Sequence, residues 1–341
     1  MRLTPALTVL SIAGSSMLAL TGCVPGEGSA AQADASATGQ WTSDTLNIDF
    51  ATYNPLSLVI KEKGWLEGEL DGVTVTWLQS AGSNKANEAL RAGAIDVGST
   101  AGSAALLARS NGSPIQVIDL YSQPEWSAIV VPDGSGIDSV GDLRGKSIAA
   151  TKGTDPYFFL LQTLEEAGIG LDEVTIQNLQ HADGGAALLS GAVDAWSGLD
   201  PIMATAEVES GARLIYRNID FNTYGFLNAT EPFLTKSPDL AQVVVDAYEK
   251  AREWTAANPE ETAQILADYS GISIEIARKV LLERTNLDVG APGQKQRDVL
   301  EVVGPIFVDS GDVADQKSID TALDSLFNDT FFAASDPGRI G

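Results

Sequence analysis

The sequence predicts an α/β protein with two lobes that face each other across a cleft, a clamshell, followed by a C-terminal helical segment. Short apolar runs typical of strands alternate with helical patterns from Thr45 to Asn228, and this alternation indicates parallel sheets with crossover helices. The turn-rich segment 132–136 interrupts the alternation once before it resumes. Beyond Pro238 the pattern is helical throughout. A chain that builds the same α/β unit twice is expected to fold as two lobes.

The N-terminal stretch is expected to be a secretory leader that ends at a lipid attachment site. Arg2 supplies a positive charge, residues 7–20 are apolar and small, and Gly22 precedes Cys23, the only cysteine. The run is shorter than the ~18 apolar residues that a membrane helix needs. We therefore expect residues 1–22 to be removed and Cys23 to be acylated. The alternative is an ordinary secretion signal with an incidental cysteine.

The first lobe is expected to begin after a tether. Residues 23–44 are rich in Gly, Ala, Ser, Thr and Gln without an apolar period, which is typical of a flexible linker. Order is expected to start near Thr45. Two helices are predicted, over 56–63 and 84–92. Strands are predicted over 46–50, 73–78, 96–99, 115–120 and 128–131.

The second lobe repeats this organisation before the chain returns to the first. Lobe 1 is expected to comprise residues 45–131 and 217–341, and lobe 2 residues 132–216. The C-terminal helices, predicted over 240–257, 259–269, 273–283 and 294–309, are expected to pack on lobe 1. Within lobe 2, strands are predicted over 147–150, 174–179, 193–196 and 213–216, with one helix ending at Glu166 and another over 183–190.

The composition excludes several classes of function. The formal net charge is −25, and loss of the leader, whose only charged residue is Arg2, leaves 20 − 46 = −26. Without clusters of Lys and Arg, such a surface repels nucleic acid. The single cysteine cannot form an internal disulfide. The single histidine and the single cysteine together cannot form a Cys/His zinc site. No metal and no cofactor are expected. That histidine, His181, lies in a loop-like Gln-His-Ala-Asp-Gly-Gly stretch and is expected to be exposed or capping rather than catalytic.

Five segments match a known pattern in order and spacing. They are Gly64–Glu67, Ala89–Gly98, Ser139–Lys146, Thr151–Thr154 and Ser190–Trp196. Over roughly residues 45–260 the chain resembles the substrate-binding lipoproteins of ABC importers for aliphatic sulfonates, taurine and nitrate. The resemblance implies a periplasmic-binding-protein fold of type II, an organic anion bound between the lobes, and delivery to a membrane permease. Much of the pattern also has a purely structural explanation. The run Ala92–Gly98, for example, is typical of the end of a helix followed by a buried strand.

Small and hydroxyl-bearing residues follow the strands of the first lobe. The loops at the carboxyl ends of strands line the cleft in such sheets. Unpaired N–H groups at helix starts, together with the helix dipole, favour a bound anion, although the same residues are ordinary helix caps. The resemblance implies that the first loop, Tyr53-Asn54, touches the ligand. The candidate contacts in this lobe are Tyr53, Asn54, Ser80, Gly82, Ser83, Thr100, Gly102 and Ser103.

The turn from Lys152 to Asp155 opens a helix of the second lobe, and the resemblance implies that it meets the ligand when the lobes close. Gly153 permits close approach of the backbone, and Thr154 offers a hydroxyl and an N–H. Lys152 could add positive charge. Asp155-Pro156 departs from the small polar residues expected in sulfonate binders, so Asp155 either caps the helix or faces an ammonium group of the ligand.

Aromatic and acidic residues near the expected crossing are further candidates. Glu125 and Trp126 could recognise an amino group and an apolar body, or could serve as surface and hinge packing. Trp196 resembles a tryptophan that walls the family's pocket, with a core role as the alternative. Asp200 keeps the Asp-Pro of the family's aromatic-Asp-Pro-aromatic pattern, but both flanking aromatics are lost.

These observations predict a monomeric binding protein rather than an enzyme. Its ligand would be a small organic anion, first an aliphatic sulfonate or taurine, and its protein partner a permease. Another cargo is the alternative: an aromatic acid, a pyrimidine or an amine-bearing compound. A secreted hydrolase with paired carboxylates is a third hypothesis, but no two acids occupy a defined spacing in one cleft. The leader and Cys23 predict a lipid-anchored protein on the extracytoplasmic face of the cell membrane.

Overall fold

The computed structural model describes residues 41–341, which form two β-sheets flanked by helices. The predicted leader, Cys23 and the tether as far as residue 40 lie outside the described residues. Order begins before Thr45, because Trp41 packs on the core and the Thr42 N–H donates to the Asp239 carboxylate at 2.9 Å. The last residues assigned to the tether, 41–44, are therefore part of the folded body.

Eleven strands are found within residues 41–341. In chain order they are β1 (Thr45–Phe50), β2 (Thr74–Gln79), β3 (Val97–Ala101), β4 (Ile115–Pro124), β5 (Ile129–Val131), β6 (Ser147–Ala150), β7 (Thr175–Asn178), β8 (Ala195–Ser197), β9 (Arg213–Tyr216), β10 (Gly225–Thr230) and β11 (Thr285–Asn286). The first sheet has the order β11-β4-β10-β3-β1-β2, and the second has the order β7-β6-β8-β5-β9.

Each sheet contains a parallel core and an antiparallel return. β1 is parallel to β2 and β3, and β6 is parallel to β7 and β8. Helices connect these strands, as parallel neighbours require. β10 runs antiparallel between β3 and β4, and β5 runs antiparallel between β8 and β9. The two sheets therefore share the same arrangement.

The first crossing between the sheets comes earlier in the chain than the sequence predicts. The strand at Ile129–Val131 pairs with β8 and β9, so it belongs to the second sheet and not to lobe 1. The chain crosses at residues 125–128 and returns at residues 217–224. An apolar run predicts a strand but not its pairing partner, which explains the displaced boundary.

Fourteen α-helices complete the described part of the chain. They are α1 (Pro55–Lys63), α2 (Trp65–Glu69), α3 (Ser83–Arg91), α4 (Gly102–Ser110), α5 (Asp155–Glu166), α6 (His181–Leu189), α7 (Ile202–Ser210), α8 (Glu231–Lys236), α9 (Pro238–Ala257), α10 (Pro259–Ser270), α11 (Ile274–Arg278), α12 (Gln294–Asp309), α13 (Gln316–Ser325) and α14 (Thr330–Ala333). None of the helices within residues 41–341 is long and apolar enough to cross a membrane.

The C-terminal helices pack on the first lobe, as expected, and also reach the second. α9 lies along α1, and α12 and α13 lie against α4. α12 additionally contacts α5 of the second lobe, where Phe307 packs on Phe158 with ring centroids 4.3 Å apart. The region after Pro238 is not wholly helical, because Thr285–Asn286 adds a short strand to the edge of β4.

Candidate ligand-binding site

Six helices begin at the cleft. α1, α3 and α4 follow β1, β2 and β3 of the first sheet, and α5, α6 and α7 follow β6, β7 and β8 of the second. Each helix start therefore lies at the carboxyl end of a parallel strand, which is the edge where open α/β sheets bind ligands. The first backbone N–H groups of each helix either donate to acceptors within the protein or remain available to a ligand.

The helix starts of the two lobes are in close contact. A β-carbon on Gly82, just before α3, would lie 2.9 Å from Nε2 of His181, the first residue of α6. A β-carbon on Gly153, just before α5, would lie 3.7 Å from Cβ of Asn84 in α3. The starts of α3, α5 and α6 therefore converge. Gly82 is required by this close approach, since a larger residue would push the lobes apart.

Three of the six starts are capped by the protein. The Asn54 side chain accepts a backbone N–H at the start of α1. At α7, Asp200 Oδ1 accepts the Ala204 N–H at 2.9 Å. At α4, the Ser103 N–H donates to Thr223 Oγ1 at 3.1 Å. Each contact satisfies one of the first backbone donors of α1, α4 or α7 with a side chain of the protein.

The other three starts, those of α3, α5 and α6, keep amide donors without a partner. Since these starts converge, their donors lie around one part of the cleft. Unpaired N–H groups at helix starts carry partial positive charge and favour an anion. Within these three starts, the backbone N–H groups of Ser83, Asn84, Asp155, His181 and Ala182 have no acceptor among residues 41–341.

The side chain of Asp155 is a second polar centre at the cleft. Its carboxylate accepts hydrogen bonds from Ser103 Oγ at 2.5 Å and from Trp126 Nε1 at 2.8 Å. The N–H and the hydroxyl of Thr223 donate to it as well, each at 2.7 Å. Burial raises the pKa of Asp155, while these four donors oppose the rise. Both oxygens are occupied, so Asp155 joins its lobe to the first lobe and to both crossings. Its hydrogen-bond partners lie outside the first turn of α5, so the capping role is not observed, and a ligand ammonium would meet oxygens that already accept hydrogen bonds.

Glu125 and Trp126 lie in the first crossing and have different roles. Glu125 receives two hydrogen bonds, of 2.9 and 2.5 Å, from the guanidinium of Arg217 in the second crossing. Trp126 is buried edge-on against Tyr53, with ring centroids 6.1 Å apart. Glu125 therefore links the two crossings through its ion pair with Arg217, and Trp126 contributes to the wall of the cleft.

Asp200 lies in a buried ion-pair cluster between the lobes. Arg284, which precedes β11, contacts the two oxygens of Asp200 at 3.2 and 3.1 Å and Glu207 at 2.5 Å. Lys279 adds a second cation 3.1 Å from Glu207. Burial outweighs the nearby guanidinium and raises the pKa of Asp200 to about 6. Asp200 therefore joins α7 to the C-terminal part of the first lobe.

Several other predicted residues have structural partners or are exposed. Trp196 is fully buried in the second lobe, which favours the core alternative. Thr100 Oγ1 accepts a hydrogen bond from Asn228 Nδ2 at 2.8 Å. Thr154 Oγ1 donates to the preceding turn. Lys152 is exposed, so its charge lies at the surface rather than inside the cleft.

A buried polar cluster lies beneath the first-lobe loops. Asp49 in β1 is fully buried, and its Oδ1 accepts the hydroxyl of Ser99 at 2.7 Å and the Ser99 N–H at 2.9 Å. Burial raises the pKa of Asp49 to about 7, and Ser80 and Ser99 oppose the rise. The sequence does not show that this carboxylate is buried, because a single Asp within an apolar strand can also lie on an exposed face. Gly102, in the same lobe, is needed because a β-carbon there would lie 2.9 Å from the ring of Phe226.

The expectation that His181 is exposed is wrong. It is 1% exposed and begins α6, with Nδ1 3.1 Å from Thr151 Oγ1. Burial lowers its pKa to about 3, so the imidazole is neutral. Gly184 and Gly185 make the stretch resemble a loop, but they are helical. A β-carbon on Gly184 would lie 2.8 Å from Trp196 Nε1, so this glycine allows α6 to pack closely.

Two surface grooves differ in their relation to the cleft. One of about 260 Å³ opens between α3, α4 and Gly153, beside the converging helix starts. A larger groove of about 550 Å³ lies by α13, away from the cleft, where Asp315 already caps the helix by accepting the Ser318 N–H. The smaller groove is therefore the one that borders the candidate binding site. Among residues 41–341, no cluster of His, Cys, Asp and Glu is arranged to hold a metal ion.

Comparison with known proteins identifies the family. Residues 55–262, more than half of the chain, match the family described as NMT1/THI5 like. The chain belongs to the NMT1/THI5-like family. A Bacillus subtilis (strain 168) relative, whose assigned name is aliphatic sulfonates-binding protein, is 30% identical over 66% of this chain and 69% of its own. An Escherichia coli (strain K12) relative with the same assigned name is 27% identical over 75% of this chain and 83% of its own.

A solved structure supports the architecture of this NMT1/THI5-like chain. The alkanesulfonate-binding protein SsuA from Xanthomonas axonopodis pv. citri, bound to MOPS, matches it with a TM-score of 0.74. The identity is 23%, and the match covers 82% of this chain and 98% of SsuA. The predicted two-lobed α/β fold is thereby confirmed.

Proposed function

We propose that this chain is the solute-binding subunit of an ABC importer and captures a small organic anion of the sulfonate class between its lobes. The convergence of three uncapped helix starts, those of α3, α5 and α6, carries this proposal. A sulfonate presents three oxygen acceptors, which suit several backbone donors from different directions. The relatives named for aliphatic sulfonates support this cargo, and their being binding proteins supports transport rather than catalysis.

Binding would stabilise the closed arrangement of the lobes. Ser83 and Asn84 offer donors from the first lobe, and Asp155 and His181 offer donors from the second. A ligand held by both sets interacts fully only when the lobes are closed, so it shifts the population toward that form. The permease would recognise the closed form and receive the ligand from it.

The amine-bearing cargo is not favoured by the carboxylates that suggested it. Arg217 engages Glu125, and Arg284 engages Asp200. Asp155 has four donors of its own. Each carboxylate is thus already paired within the protein, and a ligand ammonium would bind one of them only by displacing a contact.

The placement of the protein at the membrane is part of the proposal. We infer that residues 1–22 are removed and that acylated Cys23 holds a monomer at the extracytoplasmic face. Lobe 1 would comprise residues 45–124 and 225–341, and lobe 2 residues 129–216. Radiolabelled palmitate should label the wild-type protein in cells and leave Cys23→Ala unlabelled; equal labelling of the two would contradict the anchor.

Titration of the purified protein tests the cargo. Tryptophan fluorescence should change saturably with ethanesulfonate, taurine or nitrate, because Trp126 lies at the cleft. Ser83→Pro removes one unpaired N–H at the first position of α3, where proline is tolerated, and Ser83→Ala is the matched control that keeps it. Ser83→Pro should bind about tenfold more weakly than Ser83→Ala. No response to any of these anions, or equal affinity of the two variants, would contradict the proposal.

A further inference from the structure

The hydrogen bonds around His181 determine which ring nitrogen carries the proton. The Thr151 hydroxyl lies 2.7 Å from the carbonyl oxygen of Leu179 and 3.1 Å from His181 Nδ1. A carbonyl oxygen has no proton, so the single hydroxyl proton of Thr151 is donated to Leu179. Nδ1 must then donate to Thr151. Because the buried imidazole is neutral, its other nitrogen, Nε2, is an acceptor.

This acceptor has no partner and lies at the converging helix starts. His181 Nε2 and Asn84 Oδ1 each lie 2.9 Å from the point that a β-carbon on Gly82 would occupy. Neither atom has a hydrogen-bond partner among residues 41–341, and His181 is almost fully buried. Buried polar atoms of this kind are normally paired, so the unpaired Nε2 indicates a missing donor.

The unpaired acceptors are next to the smaller groove. Asn84 lines that groove together with Gly153 and Leu107, and Arg91 stands further along α3 at its rim. Asn84 therefore borders both this groove and the position beside Gly82 where Nε2 lies. The amides of Ser83 and Asn84, proposed above to hold the acid group, belong to the same turn of α3.

We propose that His181 Nε2 accepts a hydrogen bond from the ligand and so selects sulfonates that carry a hydroxyl or amino group near the acid over plain alkanesulfonates. The inference rests on the proposed function, since the helix starts hold the acid group while His181 recognises the substituent. A ligand without a donor leaves a buried acceptor unpaired, which costs about tenfold to hundredfold in affinity. His181 is thus a specificity-determining residue.

A matched pair of ligands tests the selectivity. 2-Hydroxyethanesulfonate and propanesulfonate have the same number of heavy atoms and differ by a hydroxyl in place of a methyl group. Calorimetric titration should show tighter binding of the hydroxyl compound by about tenfold to hundredfold. His181→Phe should abolish this preference, His181→Gln should keep part of it through its amide oxygen, and Lys152→Ala should leave it unchanged.

Nitrogen NMR provides a readout that does not depend on the folding of variants. The chain has one histidine, so a ¹⁵N-histidine sample gives a single imidazole. The free protein should show the Nδ1–H tautomer, and 2-hydroxyethanesulfonate should shift the Nε2 resonance more than propanesulfonate. An Nε2–H tautomer, or equal affinity of the two sulfonates, would overturn this inference and leave the proposed function intact. Failure of every sulfonate to bind would overturn both.

Discussion

Two polar clusters at the cleft, the Asp155 end around the Asp155 carboxylate and the His181 end around His181 Nε2, differ in how their polar groups are satisfied. At the Asp155 end, Ser103, Trp126 and Thr223 supply four hydrogen bonds to one buried carboxylate. At the His181 end, amide donors of α3, α5 and α6 and the acceptor Nε2 have no partners among residues 41–341. The protein itself stabilises closure at the first end, and a ligand is expected to do so at the second.

This difference shows why charge alone is a poor guide to the ligand site. Glu125, Asp155 and Asp200 attract attention in the sequence because acidic residues near a cleft suggest recognition of a cation. In the structure each of them is engaged by the protein, while the unsatisfied end is marked by neutral groups. A buried polar atom left unpaired costs about 1–3 kcal/mol, so a ligand that pairs Nε2 at the converging helix starts would recover that free energy.

The largest expected effect concerns the satisfied end. Asp155→Leu would leave four buried donors without an acceptor and should lower the free energy of unfolding by about 3–5 kcal/mol. Asp155→Asn should cost less, because its amide can donate to the hydroxyls of Ser103 and Thr223 and accept from Trp126. Denaturant unfolding of both variants measures this. If Asp155→Leu matched the wild type, the Asp155 end would not be a stabilising contact.

A second buried carboxylate with fewer donors sharpens the comparison. Only Ser99 donates to Asp49 within hydrogen-bond distance among residues 41–341, and burial raises its folded pKa from 3.8 to about 7. The folded state then holds a proton that the unfolded state releases. Its contribution to stability is fully present below about pH 4 and is lost as the pH rises to about 7, by up to about 4 kcal/mol. Asp49→Asn should remove this loss from unfolding curves measured between pH 4 and pH 7; an unchanged pH dependence would contradict it.

The ion-pair cluster between the lobes should show a somewhat smaller effect. Arg284→Met leaves Asp200 and Glu207 without their buried guanidinium and should cost about 3 kcal/mol, since Asp200 can take up a proton in compensation. Arg278, whose pair with Glu260 is exposed, is the matched control. Arg278→Met should cost no more than about 1 kcal/mol. Equal effects of the two substitutions would show that burial of the Arg284 pair contributes nothing.

The smallest effect is expected for a charge at the surface. Lys152 is exposed, and its Nζ lies 5.5 Å from the ring centroid of Tyr157. Lys152→Ala should therefore change the affinity for a sulfonate by less than about threefold, because an exposed charge is screened by water and salt. A larger loss would mean that lysine charge, rather than backbone amides, holds the anion.

The sequence predicts the elements well because their signals are local. The helix observed at 55–63 and the strand observed at 147–150 follow from apolar period and from stops such as Gly64. The strand at 129–131 pairs with strands that are distant in sequence. The sequence therefore places the first crossing between the lobes one strand too late. Local patterns do not reveal which sheet receives an apolar run.

The state of the site residues depends on contacts between distant parts of the chain. Asp155 meets Thr223, and Asp200 meets Arg284, at separations of 68 and 84 residues. No local sequence pattern reveals these partners, so the sequence alone leaves both carboxylates as candidate ligand contacts. His181 is a similar case, because its burial depends on the packing of α6 on Trp196 and on Gly82 in the other lobe.

A crystal structure of the complex with 2-hydroxyethanesulfonate would show which polar groups of the cleft hold the ligand. We expect density between the lobes, with the sulfonate oxygens on the amides of Ser83 and Asn84 and the hydroxyl within hydrogen-bond distance of His181 Nε2. Density at the Asp155 end with its four hydrogen bonds displaced, or only in the groove beside α13, would contradict it.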